Sequence, residues 1–190
     1  MAGELTLVLG GARSGKSNLA ERLARQSGRP VVYLATATAG DDEMRQRIST
    51  HRASRPREWR TIEEPLDLPA GLSLTRPGDI ALLECVTLWV SNLLLAGPSD
   101  ESPAETVDRI VAQAERFLSV LQETDTWVMA VSNEVGMGIV PEYEMGRTYR
   151  DALGRVNQML AGQARSVCLM VAGLPLALKG EFPPEGLVIP

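Results

Sequence analysis

An α/β fold, a mostly parallel sheet with helices on both faces, is predicted by two features of this chain. Short apolar runs alternate with longer helical patterns, and the runs are apolar nearly throughout, as in strands covered on both sides. Such alternation implies parallel strands joined by right-handed crossovers, with the ligand loops along one strand-end edge. The predicted strands are 5–9, 31–35, 80–83, 127–131 and 167–171. The predicted helices are 16–27, 41–52, 86–95, 104–123 and 144–164. The first helix follows a glycine-rich turn. The second opens on Asp41-Asp42-Glu43, an acidic first turn that suits the positive end of a helix. The fourth follows the exposed loop 97–103, with Ser102 as cap, Pro103 at the first helical position and Glu105 at the third. The stretch 180–190 carries three prolines and two glycines and reads as a loosely attached extension to a single domain over 1–179.

The 190 residues match one domain of ordinary size, and 44% hydrophobic against 23% charged residues is enough for a packed core. No apolar run reaches membrane-spanning length and no basic-then-apolar leader is visible, so a cytoplasmic location is expected. Cys85 and Cys168 lie in or beside apolar runs and read as small buried hydrophobes, neither a metal site nor a disulfide framework. A net charge of −5 argues against a general nucleic-acid binder. Positive charge is nonetheless concentrated in six arginines, Arg45, Arg47, Arg52, Arg55, Arg57 and Arg60. That run is either a solvated face or a local anion site.

Gly10-Gly11-Ala12-Arg13-Ser14-Gly15-Lys16-Ser17 fits G-x-x-x-x-G-K-[ST], between a strand and a helix. Glycines let the backbone turn so that its N–H groups converge on phosphate oxygens, and the helix offers its N-terminus to the same anion. Lys16 can reach the β- and γ-phosphates, and Ser17 offers a hydroxyl to Mg²⁺. The predicted fold is therefore of the P-loop NTPase type. The strand 80–83 runs into Glu84, a carboxylate where such enzymes organise the water around Mg²⁺. The other reading of Glu84, a cap for the helix that begins near Val86, is the less favoured of the two. The loop alone does not choose among kinases, nucleotidyl carriers, switches and motors.

His51 is the only histidine. It falls with Met44 and Ile48 on one helical face, and a histidine on an apolar stripe is ordinarily a packed core residue. Neutral imidazole is also a good nucleophile near pH 7. Attack on a nucleotide's α-phosphorus would form a phosphoramidate and expel pyrophosphate, with Arg47, Arg52 and Arg55 near in sequence to stabilise the growing charge. The residues by themselves leave both readings open.

From Leu7 to about Lys179 the chain resembles the bifunctional adenosylcobinamide kinase / adenosylcobinamide-phosphate guanylyltransferases. The resemblance is carried by GGARSGKS (10–17), YLATA (33–37), DDEMRQRISTHRASRPREWRTIE (41–63), ALLECVTLWVSNLL (81–94), SNEVGMGIVPE (132–142) and RDALGRVNQMLA (150–161). It implies two reactions. ATP or GTP phosphorylates the aminopropanol hydroxyl of adenosylcobinamide, and GTP then guanylylates that phosphate through a GMP–histidine intermediate. The motif histidine matches His51. By the same matching, Gly10 to Ser17 contact nucleotide phosphates, and Ala35, Thr36, Ala37, Arg52, Ala53, Ser54 and Arg55 belong to nucleotide-contact segments. Glu63 and Glu84 match acidic nucleotide-contact positions, with guanine, ribose or Mg²⁺ water as their tasks. The loop 133–141 is expected at the same strand-end edge, as a substrate contact, a subunit contact or a structural turn. The implied partners are a corrinoid, nucleotides and Mg²⁺, with a homotrimer and neither nucleic acid nor membrane insertion.

Two other functions fit the P-loop. A plain small-molecule kinase would leave His51 structural. A switch or ATPase module would act on a protein partner, but no N-K-x-D base-recognition motif is present.

Overall fold

A computed structural model describes residues 2–38, 40, 42, 45, 46, 49 and 55–184. Its elements are β1 (Glu4–Gly10), α1 (Lys16–Gln26), β2 (Val31–Ala35), β3 (Arg60–Glu63), α2 (Leu68–Ser73), β4 (Ile80–Glu84), α3 (Val86–Leu95), α4 (Pro103–Glu123), β5 (Trp127–Asn133), α5 (Glu144–Gln163), β6 (Ser166–Val171) and β7 (Leu174–Lys179). Among the described residues the strands form one sheet in the order β3-β2-β4-β5-β1-β6-β7. Every pairing is parallel except β6 with β7. The helix expected over 41–52 falls largely outside the described residues.

Strand alternation divides the apolar side chains between two cores. On one face Leu5, Leu7, Leu83, Val128 and Ala130 pack with Trp89, Phe117, Leu153 and other residues of α2, α3, α4 and α5. On the other, Val8, Tyr33, Leu82, Met129 and Val131 pack against Leu19, Ala20, Leu23 and Ala24 of α1. The expected helices on both faces are present. β1 is central and buried on both sides, which is why its sequence is apolar almost without break.

The predicted start of α4 is realised in full. Ser102 Oγ accepts from the Glu105 N–H at 3.3 Å, and Glu105 Oε2 accepts from the Ser102 N–H at 2.9 Å. Trp89 is fully buried, and its indole N–H donates to the Leu66 carbonyl at 2.8 Å. Trp59 and Trp127 are partly buried beneath the guanidinium groups of Arg25 and Arg29. All three tryptophans thus have packing roles. Beyond β7, Phe182 packs against the α1-side core, so the first residues of the terminal stretch are attached to the domain.

Candidate active site

The loop 10–17 joins the C-terminal end of β1 to α1. Gly15 has φ 95°, a left-handed conformation that glycine adopts without strain. Gly10 answers to space. A Cβ built there would lie 2.6 Å from both the Met170 carbonyl oxygen and Ser14 Oγ. The first of these belongs to the backbone of β6 and cannot swing aside. Gly10→Ala is therefore expected to destabilise the protein by about 1–3 kcal/mol, read as a lower denaturant midpoint at unchanged slope.

α1 begins at Lys16 with no side-chain cap on its N-terminus. Its first-turn N–H groups therefore remain open to an anion. Lys16 is 7% exposed and folds back to donate from Nζ to the Gly11 carbonyl at 2.7 Å. Burial lowers its pKa, with the nearby Glu84 acting in the opposite direction. Ser14 Oγ is buried without a hydrogen-bond partner. The Ser14 carbonyl accepts from the Gly173 N–H at 3.1 Å, so the β6–β7 turn braces the loop from behind.

The parallel registers line up a row of residues at one sheet edge. Ala35 is opposite both Glu63 of β3 and Glu84 of β4, and Gly10 is opposite Asn133 of β5. Strand alternation turns these positions toward the α1 face. Ser17 Oγ donates to Glu84 Oε1 at 2.6 Å, joining residues 67 positions apart. Glu84 Oε2 is buried with no partner. Burial pushes the Glu84 carboxyl up to about 7, against the opposing pull of the Ser17 hydrogen bond. Glu84 is the last residue of β4 and does not cap α3, whose N-cap is Cys85.

Thr36 fastens the ends of β2 and β4 together. Its hydroxyl donates to the Cys85 carbonyl and accepts from the Cys85 N–H, both at 2.8 Å. Asn92 Nδ2 holds the Thr36 carbonyl at 2.7 Å and that of Pro65 at 3.0 Å. Asn92 lies within the 81–94 block, but sequence alone assigns it no role of its own. Ala37 follows, half-buried. The Arg55 guanidinium lies over the Tyr33 ring, 3.2 Å from its centroid. Tyr33 belongs to the α1-side core, so Arg55 reaches the face that carries Glu84. Gly11, Ala12 and Arg13 are exposed, as is Glu63. His51, Arg52, Ala53 and Ser54 lie outside the described residues.

Neither cysteine is set up as a nucleophile. Burial pushes the Cys85 thiol up to about 11 and the Cys168 thiol up to about 12. Among the described residues, no three His, Cys, Asp or Glu side chains are grouped to hold a metal, and no helix is long and apolar enough to cross a membrane.

Comparison with known proteins adds the chemistry that geometry leaves open. The family described as cobinamide kinase / cobinamide phosphate guanyltransferase matches residues 6–178. The bifunctional adenosylcobalamin biosynthesis protein CobP of Pseudomonas aeruginosa is 49% identical over 176 residues, covering 92% of this chain and 97% of that protein. The Escherichia coli K12 bifunctional adenosylcobalamin biosynthesis protein CobU is 43% identical over 181 residues, covering 92% and 99%. Among solved structures, the RadB recombinase aligns over 98% of this chain and 85% of its own, at TM-score 0.53 and 16% identity. A type III secretion ATPase aligns over 93% and 57%, at TM-score 0.59 and 10% identity. These two likenesses concern the fold alone.

Proposed function

The chain belongs to the cobinamide kinase / cobinamide phosphate guanyltransferase family, and from that premise we propose how its own residues carry the two reactions. The protein phosphorylates adenosylcobinamide with ATP or GTP. It then transfers GMP from GTP to the resulting phosphate, giving adenosyl-GDP-cobinamide in cobalamin biosynthesis. The observation that carries the proposed division of roles is the Ser17–Glu84 pair at the mouth of α1, with its orphaned buried Oε2.

That pair fits Mg²⁺. A hydroxyl and a carboxylate are hard oxygen donors, and Mg²⁺ in such sites is held mainly by substrate phosphates and water, with few protein ligands. Ser17 Oγ and a water held by Glu84 would keep the ion, which when bound neutralises charge on the β- and γ-phosphates. In the kinase step Lys16 exchanges the Gly11 carbonyl for phosphate oxygens, and the N–H groups of the loop and the first turn of α1 cradle the rest. Gly10 and Gly15 let that backbone come close.

In the guanylyl step a ring nitrogen of His51 attacks the α-phosphorus of GTP. The new N–P bond forms as the bond to pyrophosphate breaks. A phosphate oxygen of the corrinoid then attacks the same phosphorus and releases the imidazole. Arg52 and Arg55 answer the charge that grows on the phosphoryl oxygens. Glu63, exposed at the end of β3 and opposite Ala35, accepts from guanine N1–H and N2–H₂. Ala35, Thr36 and Ala37 form the floor between these two carboxylates. A homotrimer in the cytoplasm completes the reading. Exposed apolar side chains at Met137, Ile139, Val140 and Tyr143 and along β7 at Leu174, Leu176 and Leu178 support association of copies.

The deciding experiment needs no corrinoid. The protein is incubated with Mg²⁺ and GTP labelled at the α-phosphate, then denatured at neutral or alkaline pH because a phosphoramidate is acid-labile. Label is expected on the wild-type protein and not on His51→Ala, while the kinase activity of that variant survives. A wild-type protein that takes no label, or equal loss of both activities in His51→Ala, would reduce the reading to a plain kinase with a structural histidine.

A further inference from the structure

Asn133, which opens the motif over 133–141, has so far been given no task. It occupies a distinctive place. β5 lies between β1, which leads into the phosphate loop, and β4, which ends in Glu84. Asn133 is opposite Gly10, and Val131, two residues earlier, is opposite Glu84. Met129 and Val131 belong to the α1-side core, so alternation turns Asn133 to the same face as Glu84, Ser17 and Lys16. Ser132 confirms the phase by turning the other way, where its hydroxyl donates to Asn157 Oδ1 of α5 at 2.7 Å.

The main chain of Asn133 is held from both sides. Its N–H donates to Thr87 Oγ1 at 2.8 Å, and its carbonyl accepts from Asn157 Nδ2 at 3.1 Å. The next N–H, of Glu134, donates to the Gly10 carbonyl at 3.0 Å. Three separate elements thus fix this backbone, yet the half-buried carboxamide of Asn133 makes no hydrogen bond among the described residues. A side chain with two donors and an acceptor has been placed on a rigid strand end and left without a hydrogen-bond partner among the described residues. Ser17 and Glu84 mark the end of the cradle where the β- and γ-phosphates and their cation sit. Asn133 stands on the neighbouring strand at that end, remote from the 51–55 segment in sequence.

We propose that Asn133 is a catalytic residue of the kinase step, its carboxamide N–H donating to an oxygen of the γ-phosphoryl group during transfer. The proposal deepens the reading above and rests on it for the identity of the acceptor. In that step the bond from the γ-phosphorus to the nucleotide's bridging oxygen breaks, a bond to the adenosylcobinamide hydroxyl oxygen forms, and the hydroxyl proton passes to water. Charge builds on the three oxygens around phosphorus. A neutral donor fixed beforehand stabilises that charge without having to reorganise. Asn133 has no part in nucleophilic attack at the α-phosphorus, so the two activities should separate.

The test uses the full-length protein as Asn133→Ala and Asn133→Asp. Kinase turnover is measured with ATP, Mg²⁺ and adenosylcobinamide, alongside the KM for ATP, labelling by α-labelled GTP, and the melting temperature. Asn133→Ala should lower kinase kcat about 10²-fold while leaving the KM for ATP within about twofold. Labelling and melting temperature should stay near wild type, because the carboxamide has no hydrogen bond to lose among the described residues. Asn133→Asp keeps the shape but replaces the donor with a charge that repels phosphate, and should lose at least as much. Its loss decides the matter if the alanine variant folds poorly. Kinase turnover within about threefold of wild type in a folded variant overturns the proposal. Kinase and labelling falling together overturn it as well, since that marks a general defect. A wild-type protein that takes no label defeats the guanylyl-histidine reading instead, and leaves kinase turnover and KM to judge Asn133.

Discussion

Lys16→Met is expected to abolish practical activity in both reactions while leaving the protein folded. Lys16 is the one side chain of the phosphate loop that brings a full positive charge into a buried place, and burial already works against that charge. Because its folded pKa lies below the ordinary 10.5, folding favours the neutral form. At pH 7 the ammonium is therefore a burden on stability that methionine, of similar length, removes. The melting temperature should hold or rise. Kinase turnover and guanylyl labelling should each fall by about 10²–10³-fold, the usual effect of deleting one preorganised charge donor. Lys16→Arg should not restore them, because a planar fork cannot take the compact ammonium's place beside the Gly11 carbonyl. A Lys16→Met protein that labels normally from α-labelled GTP would mean that the second reaction binds its nucleotide elsewhere.

Glu84→Gln is expected to show opposite effects on stability and on catalysis. The folded carboxyl titrates near 7 instead of 4.5, so folding favours its protonated form. In the absence of nucleotide, the stability this carboxyl contributes is fully present below about 4.5 and is lost as pH rises toward about 7. Glutamine has no such titration. The variant should gain on the wild type across that window, by at most about 3 kcal/mol above pH 7. Denaturant melts at pH 5 and pH 8 would measure the gain. Catalysis should run the other way. A water around the cation needs the carboxylate, so the wild-type kinase kcat/KM should rise with pH through about 7 in an arm that Glu84→Gln lacks, at much lower overall rate. A wild-type profile that stays flat from pH 6 to 8 would count against Glu84 as the water-holding carboxylate.

Local features of this molecule were legible in the sequence, and features assembled across the chain were not. The apolar runs of β1, β2, β4, β5 and β6 announce themselves because both sheet faces are covered. β3 is only Arg-Thr-Ile-Glu, an edge strand too short and too charged to show a pattern. β7 reads Leu-Pro-Leu-Ala-Leu-Lys and is mostly exposed. Its proline is tolerable because, among the described residues, β7 is an edge strand paired with β6. α2 contains both Pro69 and Gly71, which disguise a helix. The same division holds in the site. Glycines, Lys16 and Ser17 stand within one loop and can be read directly. Glu84 was visible as an acid at a strand end, but a cap for α3 stayed open as the lesser reading until the register brought it against Ser17. The apposition of Asn133 and Gly10 is a product of sheet order, and nothing near either residue announces it.

The placement of β1 has a consequence for how the protein is made. Among the described residues its strand partners are β5 and β6, more than a hundred residues further along the chain. The phosphate loop leaves the ribosome well before β5 and β6, so its supporting strand has neither partner until more than a hundred further residues have followed. The brace from Gly173 to Ser14 comes later still. Contacts so distant in sequence form slowly, since a long loop must close before any reward is gained. The nascent chain thus carries its phosphate cradle as an unassembled part until β5 and β6 have been made, and competence for nucleotide arrives only when the β6–β7 hairpin has emerged.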